Sequence, residues 1–248
     1  MPKSEFPKDI LMFKNFFPPE VVAFVSNRTV DFTRKNDTLC LSGKQKEFLS
    51  RHAGVKISRL PNIKQIHGKR IIVAKRFSCL GTQHPLKADG MITKKSALPL
   101  TVRTADCLSV FLFDPKRQVI GLVHAGWKGT RKKIVSRTVG LLKKQFQVNA
   151  KDLKVAFGPS IRFCCYEVSR EFKSLFPKAL RPRGGRLFLD LPLENKKQLL
   201  KAGVSGKNIF DCGICTHCNP NYFSYRRQGD RAGRMISLMM LKNKGEKK

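Results

Sequence analysis

The sequence predicts an α/β (α+β) fold with a mixed central sheet and helices on both faces. Short runs of β-branched and aromatic residues recur along the chain, such as Ile71-Ile72-Val73 and Leu108-Ser109-Val110-Phe111-Leu112-Phe113, and read as strands. Ile134, Val135, Val139, Leu141, Leu142 and Phe146 keep a period near 3.6 residues, with lysines and arginines on the other face, and read as an amphipathic helix. Strands alternate with helices only in part, so the sheet is expected to be mixed rather than wholly parallel.

Residues 1–60 carry the weakest signals. Val21 to Val25 reads as a short strand and Gly43 to His52 as a helix. Ile57 to Ile63 leads into Gln65-Ile66-His67-Gly68, and Arg70 to Val73 reads as a strand, so His67 falls on a turn before it. Ala88 to Thr93 reads as a turn entering a strand, and Leu98 to Arg103 as another strand. Thr104-Ala105-Asp106 interrupts the pattern before the buried-looking run Leu108 to Phe113, which Asp114-Pro115 ends. Val119 to Val123 is the next strand, with His124 at its C-terminal end. The glycine-rich turn Ala125 to Thr130 enters the amphipathic helix, with Thr130 as the expected N-cap. Val155-Ala156-Phe157 is a strand closed by Gly158-Pro159-Ser160, and Glu167 to Phe176 reads as helical. Leu187 to Leu191 reads as a strand, and Asn195 to Ala202 as a helix ended by Gly203. Ile209 to Cys212, Phe223 to Arg227 and Met235 to Leu241 are expected to complete the sheet.

The chain has 248 residues, 41% of them hydrophobic, with no Pro/Ser/Gly linker and no internal repeat. This suits a single domain over 1–248, with a divergent N-terminal part at 1–60 and a disordered basic tail at 242–248. No signal-peptide pattern and no apolar run approaching the roughly 20 residues of a membrane span occur. Eight cysteines without a secretion signal then suit a reducing, cytoplasmic setting, where cysteines serve as ligands, catalytic groups or core residues. A net charge of +33 predicts non-specific adhesion to polyanions at low salt. The basic residues are spread along the chain and fit no zinc-finger, homeodomain or RRM pattern, so specific nucleic-acid binding is not expected, nor is a membrane partner.

Val102 to Thr130 holds the densest chemistry. Cys107 and His124 stand at the ends of two apolar runs, and His67 lies upstream on its own turn. A catalytic zinc site has three protein ligands and one open position, and two imidazoles with one thiolate are a known set. Taken singly, two have plainer readings, Cys107 as a buried core thiol and His67 as a surface turn residue, while His124, at a strand end before a glycine-rich turn, is the stronger candidate. The turn after His124, with Lys128 and Arg131 nearby, suits an anion at the following helix start, or is an ordinary strand–helix connection. Asp106 reads as a turn-stabilising carboxylate or as a proton-shuttling group. Cys212, Cys215, His217 and Cys218 form a rival metal-ligand cluster whose first pair is a C-x-x-C, and Cys164-Cys165 is an adjacent, reduced pair. No G-x-S-x-G elbow, Walker loop, G-x-G-x-x-G fingerprint or zinc-deaminase pattern is present.

QIHG, TADCLSV, HAGWKGT, GPSIRFCCYEV, Cys215-Thr216 and FSYRRQGDRAGR follow one another in this order. Together they resemble the YfiH-like family of laccase-domain, or polyphenol oxidase-domain, proteins over about His67 to Ile236. The resemblance implies a YfiH-like α/β sandwich and a zinc site formed by His67, Cys107 and His124, which are also the catalytic set. It implies phosphorolysis of adenosine, inosine, guanosine and methylthioadenosine, and deamination of adenosine. The small-molecule partners are then a nucleoside and phosphate, with Asp106, Lys128, Arg226 and Arg227 as candidate binding residues. The alternatives it carries are a hydrolase that edits peptidoglycan precursors, with Cys107 as nucleophile, and a copper-dependent polyphenol oxidase. The segment Phe24 to Leu41 is shorter than in many relatives and lacks their glycines, which predicts an altered substrate wall.

Overall fold

A computed structural model describes residues 9–34, 41–58, 60–75 and 84–243 of the chain. The tail residues 244–248, the segment 35–40 and the stretch 76–83 lie outside the described residues. In order, the elements are β1 (Ile10–Met12), β2 (Val21–Ser26), α1 (Gly43–Ala53), β3 (Ile63–Lys64), β4 (Ile71–Val73), β5 (Leu86–Lys87), β6 (Gly90–Thr93), β7 (Leu100–Thr104), β8 (Leu108–Asp114) and β9 (Val119–Ala125). Then come α2 (Trp127–Arg131), α3 (Ile134–Phe146), β10 (Lys154–Phe157), β11 (Glu167–Val168), α4 (Phe172–Leu175), β12 (Leu180–Arg183), β13 (Arg186–Leu189), α5 (Leu191–Lys201), β14 (Ile209–Asp211), α6 (Tyr225–Gln228) and β15 (Met235–Leu241).

The centre is two stacked sheets. One has the order β14-β10-β8-β9-β6-β4 and is mixed, because β4 runs parallel to β6 and β10 parallel to β14 while the other pairs are antiparallel. The other is antiparallel, with the order β1-β2-β15-β7. Period-two alternation explains the layering. Phe111 and Phe113 of β8 meet Val25, Val102, Met235 and Met239 in the core between the sheets. Leu108, Val110 and Leu112 of the same strand face the other way, onto Ile134, Val135, Val139 and Leu142 of α3 and Leu199 of α5. Phe24, Ile236, Leu238 and Met240 cover the outer face of the second sheet with Phe48 and Leu49 of α1. A strand buried on both faces must be apolar throughout, which is why β8 and β15 read as continuous runs. No helix among the described residues is long and apolar enough to cross a membrane.

Four expectations need correction. Thr130 does not cap a helix start: α2 begins after Gly126, the chain turns left-handed at Lys133 (φ 57°), and α3 restarts at Ile134. The Thr130 hydroxyl instead accepts from Asn195 Nδ2 at 3.0 Å, inside the core. Glu167 to Phe176 is helical only at Phe172–Leu175, because Glu167 and Val168 pair with Phe188 and Leu187 as strand β11. The Leu187–Leu191 strand stops at Leu189, since Asp190 accepts from Leu193 N and starts α5 there, ahead of Asn195. Phe223–Arg227 adds no strand, because Ser224 caps the helical turn α6 by accepting from Arg227 N at 3.2 Å.

Candidate active site

The sheet register brings the site together. Antiparallel pairing of β8 with β9 sets Ser109 opposite His124, so Cys107, just before β8, arrives beside the end of β9. Gly90 of β6 pairs with Val123 of β9 and with Ile71 of β4. Asp89 and the His67-Gly68 turn are therefore carried to the same end of the same neighbouring strands. The result is one cluster: a ligand atom from each of His67, Cys107 and His124 lies within 4.8 Å of the others. His67 is exposed, Cys107 half-buried and His124 buried.

Asp89, which the sequence presents as turn chemistry, organises this cluster from beneath. Its side chain is fully buried and accepts from the backbone N–H of Ile66, His67 and Gly68 at 3.3, 2.9 and 2.6 Å. It also bonds His124 Nδ1 at 2.8 Å. A carboxylate on Nδ1 holds the imidazole in one orientation and leaves Nε2 as the nitrogen available to a metal. Burial raises the Asp89 carboxyl, but the hydrogen bonds from His124 and Gly68 outweigh it and hold the group below its ordinary value. The buried acid between two apolar strands was the available signal, and Asp-Gly at a strand start concealed it.

The electrostatics of the bare cluster favour a charged pair. Burial pushes the Cys107 thiol up, yet His124 and His67 beside it bring it down to about 6. Burial pushes His124 down, and the Cys107 sulfur and Asp89 carry it up to about 9. The backbone is constrained to suit. His67 sits at φ 53° and Asp106 at φ 85°, in a region non-glycine residues seldom adopt. Gly126 must lack a side chain, because a Cβ there would stand 2.8 Å from Cys107 Sγ and 3.1 Å from His67 Nδ1. The donor set and this bare cradle fit one metal ion held by His67, Cys107 and His124.

The cluster opens into a cavity of about 620 Å³, within the usual range for small-molecule sites. Trp127, Tyr166, Ile161 and Tyr225 contribute flat or apolar wall, and Lys128 and Arg226 line it as well. Asp106 also lines it, but its carboxylate accepts from Thr216 Oγ1 at 2.6 Å and from Arg226 N at 2.7 Å, bracing two loops. Arg227 lies outside the lining; its guanidinium donates to the carbonyls of Thr216, His217 and Tyr222. Arg103, a lining residue the motifs did not single out, has buried Nε and Nη2 atoms without a partner among the described residues. Burial, and then the charge of Arg34, push its guanidinium down to about 10. Gln65 exchanges two hydrogen bonds with the Arg103 backbone, at 2.7 and 2.9 Å, and so ties the His67 turn to β7.

The rival cluster is differently composed. Cys215 and Cys218 gather with Cys164 and Cys165, not with Cys212 and His217. The Arg162 guanidinium sits against the Cys212 sulfur at 3.9 Å.

Residues 33–242 match the family described as multi-copper polyphenol oxidoreductase laccase. A protein of Aquifex aeolicus named purine nucleoside phosphorylase is 37% identical over 157 residues, which are 63% of this chain and 73% of that protein. A protein of an unknown prokaryotic organism named adenosine deaminase RL5 is 30% identical over 204 residues, covering 76% of this chain and 78% of its own. The crystal structure of a Bacillus licheniformis hypothetical protein, YfiH, superposes with a TM-score of 0.81 at 25% identity, over 95% of this chain and 97% of that one.

Proposed function

This chain belongs to the multi-copper polyphenol oxidoreductase laccase family, also known as the YfiH family, and we propose that it is a zinc-dependent purine nucleoside phosphorylase that also deaminates adenosine. The observation that carries this reading is one cavity holding both a three-donor metal set and the Arg103 guanidinium, whose buried Nε and Nη2 find no partner among the described residues. The names of its relatives support the same substrate class.

His67, Cys107 and His124 would hold the ion, and a zinc ion supplies a Lewis acid beside the reacting group. The remaining work falls to the chain itself. Asp89 fixes the His124 ring and the His67 turn, so neither ligand reorganises during turnover. In phosphorolysis the C1′–N9 bond breaks with its electrons leaving on the purine, and a phosphate oxygen bonds to C1′. Phosphate needs cationic donors held out of water, and Arg103, with Lys128 and Arg226 on the same wall, meets that need better than Arg227. In deamination, water supplies the oxygen at C6 and ammonia leaves. Tyr166 and Trp127 offer the flat surfaces a purine requires. Zinc is preferred to a laccase-type copper set because a three-copper cluster demands many histidines. The chain has five, His52, His67, His84, His124 and His217, and among the described residues only His67 and His124 join a metal-competent cluster.

The test is zinc-assayed protein incubated with adenosine, with and without phosphate, followed by product separation. Adenine with ribose 1-phosphate only when phosphate is present, and inosine in both, are the expected products. No product from zinc-replete protein would overturn the proposal.

One observation favours a second reading. Asp89, His124 and Cys107 lie in line as orienting carboxylate, base and low-pKa thiol, as a cysteine hydrolase requires. That reading is the peptidoglycan-precursor hydrolase. Zinc occupancy separates the two, because a metal-bound thiolate is a poor nucleophile: only the hydrolase would work zinc-free.

A further inference from the structure

Outside the cavity lining, two loops bring four cysteines together. The loop after β10 carries Cys164 and Cys165, and the loop after β14 carries Cys215 and Cys218. The loops already touch through their backbones. Ser160 N donates to Ile214 O at 3.2 Å and Thr216 N to Ser160 O at 3.1 Å. We propose that Cys164, Cys165, Cys215 and Cys218 form a closed tetrathiolate site for a structural zinc ion, separate from the His67–Cys107–His124 cluster.

Geometry is the first support. The four sulfurs lie within 4.8 Å of one another, with Cys164–Cys218 at 3.7 Å and Cys165–Cys218 at 3.2 Å. Tetrahedral zinc with zinc–sulfur bonds of about 2.3 Å sets sulfurs about 3.8 Å apart, whereas a disulfide requires about 2.05 Å. A closed set of four ligands is the mark of a structural site. The local sequence is the second support. Cys215-Thr216-His217-Cys218 is a C-x-x-C turn, and the backbone of Cys218, Arg162 and His217 beside the Cys215 sulfur favours its thiolate and lowers the thiol from its ordinary value against the effect of burial. Such a setting favours the thiolate, the form that ligates a metal. Charge is the third. Four thiolates on a divalent ion carry a net double negative charge, and the Arg183 guanidinium stands at the Cys164 carbonyl, 3.0 Å away, in a chain of net charge +33.

The placement also gives the site a purpose. Thr216, between the two C-x-x-C cysteines, donates to Asp106 Oδ1 at 2.6 Å, and Ile161 N donates to Asp106 O at 2.9 Å. Both fastened loops therefore grip Asp106, the residue before Cys107. The ion would lock the wall of the cavity from behind without touching a substrate, and its binding would release thiol protons.

The full chain, purified under reductant and dialysed against metal-free buffer, is expected to hold two zinc ions. The Cys165→Ser/Cys218→Ser variant and the His67→Ala/His124→Ala variant should each hold one. Zinc X-ray absorption of the histidine variant should show four sulfur neighbours only. A wild-type chain with a single zinc, lost in the histidine variant, would overturn the proposal whether or not nucleosides turn over. A further measurement needs no variant. Cys218 is exposed, so burial cannot shield it from iodoacetamide. In zinc-loaded wild type it should alkylate at least tenfold more slowly than after chelation, and equal rates would overturn the site.

Discussion

Cys107 sits beside two imidazoles at the ends of core strands, whereas Cys164, Cys165, Cys215 and Cys218 gather on two loops outside the cavity lining. Burial pushes both kinds of thiol up. At Cys107 the His124 and His67 rings reverse that effect and leave it at about 6, while Cys164, with other thiols for neighbours, rises to about 11. The first cluster is a set of three donors facing a cavity, and the second is a set of four facing one another. The difference lies in what surrounds one residue type: strand ends set a thiol beside two imidazoles at a cavity, and two loops set four thiols against one another.

The comparison breaks most sharply at Cys107. Cys107→Ala should lower kcat/KM for adenosine phosphorolysis and deamination by about 10³ or more, as loss of a metal-held transition-state charge implies. It should remove one zinc equivalent and spare the other. A variant with full zinc and full turnover would remove Cys107 from the site.

The next effect concerns the thiols themselves. In metal-stripped protein the thiolate is the reactive form, so alkylation of Cys107 should rise through a midpoint near pH 6, against the ordinary value of 9.0. At pH 6, where half of Cys107 would be ionised, that is roughly five hundredfold more thiolate than a thiol at the ordinary value carries. The rate for Cys164 should climb only towards pH 11. Coincident profiles, followed by peptide mass spectrometry, would erase the electrostatic distinction.

Asp89→Asn keeps the side-chain shape and removes the charge behind His124. Zinc affinity of the His67–Cys107–His124 cluster should weaken by about 10–100-fold in competition titrations, and that of the four-cysteine cluster should hold. An unchanged affinity would mean that Asp89 serves only the fold. The smallest effect sharpens the substrate side. Arg103→Gln should raise KM for phosphate by roughly tenfold, about the worth of one charged hydrogen bond, with deamination unmoved. An equal loss in both reactions would make Arg103 a support for β7 instead.

The fold was legible wherever burial imposed a pattern. Strands β8, β9 and β15 follow from unbroken runs of buried residues, and helix α3 from its apolar period, because each packs against the core. Reading failed where a single hydrogen bond decided the local path. Ser224 turns Tyr225–Gln228 into a helix, and pairing with β13 draws Glu167-Val168 into a strand. Asp89 looked like turn chemistry because its partners, Ile66 to Gly68 and His124, are more than twenty residues away. The rival cysteine set was drawn from neighbours in sequence, Cys212 and His217, when the loops supply Cys164 and Cys165 instead.

By itself, then, the sequence determined the layered α/β class, the main strands, the amphipathic helix and, through its motifs, the family. Those depend on periodicity and on short residue strings, which are local. Tertiary structure alone decided that the centre is two stacked sheets, that Asp89 lies under His124, that Arg103 lines the cavity, and that four cysteines from two loops converge. Each of these depends on strand register and loop pairing, which bring distant residues within bonding reach and leave no trace in local spacing.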